Sequence, residues 1–244
     1  MNKVARVTAS FWVIKIAGTT LGETAGDLLS MTMNLGYALS SVILLGTFLA
    51  ALVAQVLSRT FKPALFRTVV LLTSTAGTTM SDFMDRTLGV GYAKGSLILV
   101  TLLTVVLVAW KLTEKSISVS HIETTRSELF YWAAILCSNT LGTALGDYLA
   151  DDSGLGFLGG AALIGSLLLV VVLVTYFTKI NRIALFWIAF VLTRPFGATF
   201  GDLLTKSVEK GGLNLGTIGS SAVLAIIFVA FIAYTTRRDQ RQAL

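Results

Sequence analysis

The sequence predicts an all-α integral membrane protein with eight transmembrane helices, built from four tandem parallel helix-hairpin repeats. Three observations support this fold class. Of the 244 residues, 55% are hydrophobic and only 13% are charged, whereas a soluble domain usually carries about a quarter charged residues. The hydrophobic residues fall in runs of about 20, the length that crosses a hydrocarbon core of roughly 30 Å. A short motif with a closing aspartate also recurs four times at regular spacing.

Eight hydrophobic segments define the predicted transmembrane helices. They show no alternation of polar and apolar residues, so helices rather than barrel strands are expected to satisfy the backbone in lipid. The segments are Ala9–Leu29, Tyr37–Leu57, Ala64–Phe83, Gly95–Leu112, Glu128–Leu149, Leu158–Phe177, Ala184–Leu204 and Thr217–Tyr234. Residues 1–120 and 121–244 are predicted to form the two halves of one membrane domain, each half with four helices.

Lysine and arginine residues predict the orientation, because cytoplasmic loops of membrane proteins are enriched in them. One side of the predicted helix arrangement carries the larger set, which is Lys3, Arg6, Arg59, Lys62, Arg67, Lys111, Lys115, Arg126, Lys179, Arg182, Arg237, Arg238 and Arg241. The other side carries Arg86, Lys94, Lys206 and Lys210. Both termini are therefore expected in the cytoplasm.

The four copies of the motif define the repeats. They read GTTLGETAGD, STAGTTMSD, NTLGTALGD and RPFGATFGD, and they close at Asp27, Asp82, Asp147 and Asp202. The third and fourth aspartates each lie 120 residues after the first and second. The two halves are thus predicted to be related by a pseudo-twofold axis along the membrane normal. All four motif helices then run from inside to outside, with their aspartates toward the external end.

Small residues recur every four positions in each motif copy, which indicates close helix packing. A glycine stands five residues before each aspartate. These predicted packing positions are Gly22, Gly77, Gly142 and Gly197.

A polar face beside the glycines predicts a cation site. The predicted metal ligands are Glu23, Asp27, Asp82, Asp147 and Asp202. The predicted substrate path is lined by Thr20, Thr24, Thr75, Thr79, Asn139, Thr143 and Thr199. A carboxylate at the centre of a membrane helix costs at least ~2.5 kcal/mol, so five acids within membrane segments indicate a function. The alternative is that the four aspartates end their helices in external water, where the cost is much smaller.

Three charged positions distinguish the copies. Glu23 lies one turn before Asp27, so their carboxylates can share a ligand, and the other copies have no acid there. Lys15 and Arg194 are predicted counter-ions within the membrane, although Lys15 could equally snorkel to the inner interface. Because only the fourth copy carries an arginine, we do not expect a symmetric fourfold pore.

Several classes of protein are disfavoured. The single Cys137 excludes an internal disulfide and a paired-cysteine metal site, and the single histidine, His121, disfavours a histidine-based triad. We therefore expect no enzyme activity and no permanently bound cofactor. Basic loops explain the net charge of +6, so no nucleic-acid partner is expected.

Tryptophans mark three of the four repeats. Trp12, Trp132 and Trp187 each stand fifteen residues before the closing aspartate, and Arg67 takes this place in the second repeat. With these residues, the chain resembles a family of uncharacterised bacterial integral membrane proteins. Its members have four tandem repeats, each with two transmembrane segments and a characteristic tryptophan. The resemblance implies a multi-pass protein of the bacterial inner membrane, and it implies no particular activity.

Three functions follow from these observations. The first is a secondary transporter that exports or exchanges a divalent cation as its substrate, with Mn²⁺ favoured and Mg²⁺ next, because all available ligands are oxygens. Protonation of the same acids would couple export to proton entry. The second is a transporter or channel for a small organic or anionic solute that uses Arg194 and Lys15. The third is a non-transporting membrane scaffold. The expected partners are the lipid bilayer and a small ion or solute, and a homodimer is compatible with the sequence.

Overall fold

Eight long α-helices make up the structure, a computed structural model that describes residues 7–58, 60–119 and 122–242, the last seven by their backbone alone. The helices are α1 (Ala9–Asp27), α2 (Gly36–Leu57), α3 (Pro63–Asp82), α4 (Tyr92–Glu114), α5 (Thr125–Asp147), α6 (Gly156–Phe177), α7 (Arg182–Thr205) and α8 (Thr217–Gln242). Each overlaps one predicted segment, so the eight helices are confirmed, and the described residues contain no strand. His121 lies outside the described residues. So do the basic side chains at positions 3, 6, 59, 237, 238 and 241, on which the predicted orientation partly depends.

Within the described residues, six helices are long and apolar enough to cross a membrane. They are α2, α4, α5 extended to Asp152, α6, α7 and α8 as far as Thr235. The other two, α1 and α3, carry the polar motif in the shorter helices of 19 and 20 residues. The chain thus has the helices of a membrane protein, whereas the eight-span topology and the orientation remain predictions.

The four motif helices form a closed inner ring. Helix α1 packs against α3, α3 against α5, α5 against α7, and α7 against α1. The even-numbered helices surround this ring, and each packs against the motif helix of the next repeat, with α8 closing onto α1. In the most apolar 18-residue stretch of each helix, 22% of the residues are buried in α2, α4 and α6, against 67% in α5 and 56% in α7. The outer helices therefore present apolar side chains outward, as contact with lipid tails requires.

The segment that follows each aspartate differs between the fourth repeat and the others. A π-helical turn follows the first three aspartates, at Leu28–Thr32, Phe83–Thr87 and Tyr148–Asp152. Left-handed residues then stand seven and nine positions after the aspartate, at Asn34 and Gly36, Gly89 and Gly91, and Gly154 and Gly156. The fourth repeat has Asn214 and Gly216 in these roles, twelve and fourteen positions after Asp202. Five additional residues thus replace the π turn. The Leu213 N–H donates to the Leu203 carbonyl near the end of α7 at 2.7 Å, and the Asn214 N–H donates to the Lys206 carbonyl at 2.9 Å.

Aromatic side chains fill the inner ring at the end opposite the aspartates. Trp132 contacts Phe66 (5.4 Å between ring centroids), and Trp187 contacts Trp110 (5.9 Å). Arg67, which replaces the tryptophan in the second repeat, instead donates to the Ile232 carbonyl at 3.1 Å and to the Thr235 hydroxyl at 2.9 Å. At this end, aromatic contacts thus join α3 to α5 and α4 to α7.

Candidate functional site

Contacts at the motif glycines set the register of the inner ring. A Cβ atom added to any of the four would lie between 2.2 and 2.9 Å from the nearest facing side-chain atom. Each glycine faces the residue eight positions before the aspartate of the next repeat, and the fourth repeat faces the first. The pairs are Gly22 with Ser74, Gly77 with Asn139, Gly142 with Arg194, and Gly197 with Thr19. This arrangement turns the side chains zero, four and eight positions before each aspartate toward the axis of the ring.

The first level of the axis, the aspartate level, contains the four closing aspartates and two basic side chains. The aspartates are buried, with exposures of 2–3%, so they do not end their helices in external water. Arg86 bridges two of them, with Nε 2.9 Å from Asp82 Oδ1 and Nη2 3.0 Å from Asp147 Oδ2. Lys206 bridges the others, with Nζ 2.5 Å from Asp27 Oδ2 and 3.1 Å from Asp202 Oδ1.

The two bridges obey the twofold relation between the halves of the chain. Lys206 lies 120 residues after Arg86, and each stands four residues after an aspartate of its own repeat. Met31 and Asp151 occupy the corresponding positions of the first and third repeats. At the aspartate level the ring is therefore twofold rather than fourfold.

The surroundings of the two bridging cations differ. Arg86 lies over the rings of Tyr37 and Tyr92, 5.9 and 5.5 Å from their centroids, and it donates to the Tyr37 hydroxyl at 3.4 Å. Lys206 follows the end of α7, and its ammonium also lies 3.7 Å from the sulfur of Met31. Burial disfavours the charged form of Lys206, but Asp202 and Asp27 outweigh this effect and raise its pKa above the usual value. Lys206 is thus a charged ammonium, and among the described residues it has no cation–π contact.

A small cavity of about 60 Å³ adjoins the aspartate level. Its lining residues are Met31, Arg86, Asp151, Phe157, Asp202, Lys206 and Lys210. Both bridging cations thus border the same space.

The second level, the arginine level, lies one turn deeper and joins all four motif helices. Arg194 Nη2 is 2.8 Å from Glu23 Oε2, and both side chains are buried. The same nitrogen donates to the hydroxyls of Thr78 (2.5 Å) and Thr143 (2.6 Å). These hydroxyls donate in turn to Glu23 Oε2, at 3.2 and 3.4 Å. Arg194 therefore crosses the axis and fills it.

The third level, the lysine level, contains Lys15. Its ammonium donates to Asn139 Oδ1 at 3.0 Å and lies 4.0 Å from the centroid of the Phe190 ring. The Asn139 amide donates to the Thr73 hydroxyl at 3.0 Å. Lys15 is 2% exposed, so it points into the ring and does not snorkel to the inner interface. Within the described part of the chain it forms no ion pair.

The five predicted metal ligands divide into two sets. Glu23, Asp147 and Asp202, which we name the acid triad, are buried and offer oxygens that all lie within 4.8 Å of one another. An ion centred among three oxygens at this largest separation would be about 2.8 Å from each, so a small contraction reaches the bonding distance of Ca²⁺, and a contraction of about 0.7 Å reaches that of Mg²⁺. Asp27 and Asp82 do not belong to this group.

Only some of the predicted path residues reach the axis. Asn139 and Thr143 do, as described above. The structure places Thr24 and Thr199 away from it, because Thr24 accepts from Ser221 of α8 at 2.9 Å and Thr199 lies against Gly160 of α6. The remaining three donate to carbonyl groups of their own helices: Thr20 to Ile16, Thr75 to Leu71 and Leu72, and Thr79 to Ala76. Asn139 and Thr143 are therefore the predicted path residues whose contacts in the described structure reach the axis.

Sequence analysis assigned Arg86 and Lys206 to the outer side of the membrane and missed their place in the site. A signal was present, since a base four residues after an acid lies on the same helical face. Arg86 and Lys206 each follow a motif aspartate by four residues, and the first and third motif copies have no base at that position.

A ring of two-helix repeats with an apolar exterior and a charged axis defines a helical membrane protein built by tandem duplication. The family model described as Repeat of Unknown Function (DUF347) matches the chain four times, at residues 10–61, 65–116, 130–181 and 185–241. The chain belongs to this family, which confirms the four-repeat resemblance inferred from its motifs. Comparison with curated proteins and with solved structures gives no significant match.

Proposed function

We propose that the protein is a secondary transporter of a divalent cation, with Mn²⁺ favoured and Mg²⁺ next. The observation that carries this proposal is the convergence of the acid triad from three different motif helices. Its donor atoms are carboxylate oxygens, with the Thr143 hydroxyl beside them. An all-oxygen donor set suits Mg²⁺, Ca²⁺ and Mn²⁺ rather than soft metals.

Charge balance supports a divalent substrate. The aspartate and arginine levels together hold five carboxylates, four from the motif aspartates and one from Glu23, against the three bases Arg86, Lys206 and Arg194. Each carboxylate contacts a base, but with all of these groups ionised the two levels carry a net charge of −2. Uncompensated net charge is costly in a membrane interior. One bound divalent cation would neutralise it.

The filled axis favours a carrier over an open channel. Below the acid triad, Arg194 occupies the axis at the arginine level, and Lys15 with Asn139 occupies the lysine level. Glu23 belongs both to the acid triad and to the ion pair with Arg194. Opening that pair would therefore release the site toward the opposite side of the membrane. Protonation of the acids as the cation leaves would couple its export to proton entry.

A second candidate, transport of a small anionic solute, also has an observation in its favour. The Nε and Nη1 atoms of Arg194 are buried without hydrogen-bond partners in the described structure. Lys15, in the adjacent level, pairs with no described carboxylate. Two buried bases with unused donors could hold an anion. In the described part of the chain, no comparable feature favours the scaffold hypothesis.

Flux measurements in proteoliposomes test the proposal. We expect Mn²⁺ transport by the wild type and its loss in Glu23→Gln, Asp147→Asn and Asp202→Asn. Asp152→Asn is the matched control, because this exposed acid lies on the π turn that follows Asp147. Wild-type Mn²⁺ flux in an Asp147→Asn, Asp202→Asn double variant would refute the proposal. An anion flux that survives Asp147→Asn but is lost in Lys15→Met would support the second candidate instead.

A further inference from the structure

We propose that Lys206 is a tethered competitor of the transported cation. Its ammonium group occupies Asp27 and Asp202 while the acid triad is empty, and it leaves Asp202 when a cation binds there. This inference rests on the proposed function, because it concerns the same carboxylates.

The first argument is that one carboxylate serves both cations. Asp202 belongs to the acid triad, and its Oδ1 also lies 3.1 Å from Lys206 Nζ. Two positive charges held by one carboxylate in a buried site repel each other strongly, because the local dielectric constant is low. Binding of a divalent cation at Asp202 therefore disfavours the Lys206 contact, and the Lys206 contact disfavours binding of the cation.

The second argument is that the Lys206 side chain has room to leave. Its backbone is fixed, since the N–H donates to the Asp202 carbonyl at 2.9 Å and the carbonyl accepts from the Asn214 N–H at 2.9 Å. The side chain is 15% exposed and borders the 60 Å³ cavity, whose wall also contains Asp151. A lysine carries a compact charge on a flexible four-carbon stem. Its ammonium can thus move from the buried pair toward the acid on the cavity wall.

The third argument comes from the other bridge. Arg86 lies within a π turn, contacts two tyrosine rings and reaches Asp82 and Asp147 with different nitrogens. The insertion in the fourth repeat removes the π turn at Lys206, and its ammonium has no ring contact among the described residues. One half of the aspartate level is therefore held firmly, whereas the other half is held by an exchangeable group.

Such a competitor would assist turnover. A site with two unneutralised charges would otherwise hold a divalent cation tightly. Return of the ammonium to Asp202 favours release of the cation, so the bound state stays reversible.

The test is the affinity of the purified full-length protein for Mn²⁺, measured by titration calorimetry at fixed pH and ionic strength. Lys206→Met removes the competitor, and we expect about tenfold tighter binding. Lys206→Arg should weaken binding, because a guanidinium fork holds two carboxylates more firmly than an ammonium. Opposite effects of two variants at one position cannot come from misfolding.

Lys210→Met is the matched control. Lys210 lines the same cavity and carries the same charge, but it forms no ion pair among the described residues. We expect the Mn²⁺ affinity of the Lys210→Met variant to stay within about twofold of the wild-type value, roughly the effect of one exposed charge. Equal tightening in Lys206→Met and Lys210→Met would overturn the inference, as would unchanged affinity in Lys206→Met, and either result leaves the proposed function standing. Absence of Mn²⁺ binding in every variant and in the wild type would overturn both.

Discussion

The arginine level and the aspartate level of the axis differ in how their charges are held. Arg194 and Glu23 have side-chain exposures of 0% and 3%, and two threonines from the remaining motif helices complete their contacts. Arg86 and Lys206 are 29% and 15% exposed and border a cavity. The buried pair joins four helices, so it stabilises the resting ring more than either partly exposed bridge does. At the aspartate level, two tyrosine rings further hold Arg86, whereas Lys206 is the bridge that can exchange partners. The comparison places the most stabilising contact at the centre of the ring and the exchangeable one at its aspartate end.

The largest expected effect concerns the arginine level. Arg194→Gln leaves Glu23 buried without its partner, and we expect the free energy of unfolding to fall by about 3–5 kcal/mol. Reversible unfolding in mixed detergent measures this change. The Glu23→Gln, Arg194→Gln double variant should recover much of the loss, since no lone charge remains. Wild-type stability of Arg194→Gln would mean that the central pair is not structural, and the contrast between the levels would disappear.

An intermediate loss of stability is expected for a substitution at Gly142, the glycine that packs against Arg194. A Cβ atom at Gly142 would lie 2.2 Å from Arg194 Cγ. Gly142→Ala should therefore lower the free energy of unfolding by about 1–3 kcal/mol, as overpacking does elsewhere. Gly219→Ala in α8 is the control, because no atom lies within 4 Å of its added Cβ. Equal stability of the two variants would show that the ring tolerates looser contacts at this level.

The smallest expected effect is at the aspartate level. Arg86→Gln removes a cation that is 29% exposed, so water can enter and solvate the two buried aspartates that lose their partner. We therefore expect a loss of about 1 kcal/mol, below the cost of leaving a fully buried charge unpaired. The loss should shrink as salt is added, because salt screens exposed charges more than buried ones. Thermal unfolding at two salt concentrations measures both quantities. A salt-independent loss as large as that of Arg194→Gln would make the two levels equivalent.

The sequence predicted the helices and the repeat because these depend on local composition and spacing. Eight apolar runs became eight helices, and the small residue five positions before each aspartate became a helix contact. The sequence did not predict which polar residues face the axis. Positions three and four before an aspartate are neighbours on a helix, and only the packing of the outer helices separates Thr24, which faces α8, from Glu23, which faces the axis.

Hydropathy could not predict the two bridges of the aspartate level. Arg86 and Lys206 follow their motifs in sequence, so they were counted as charges of the outer side. Their contacts with Asp147 and Asp27 span 61 and 179 residues. Such contacts depend on closure of the ring, which no single repeat encodes. The spacing of four residues from the nearer aspartate was the only local sign of them.

Closure of the ring has a consequence for how the gene could be rearranged. Each motif glycine receives a side chain from the next repeat, and the fourth repeat receives one from the first. Helix α8 packs on α1 as α2 packs on α3. A ring with this connectivity has no first member. A circularly permuted gene that begins with the third repeat and ends with the second would encode the same set of contacts.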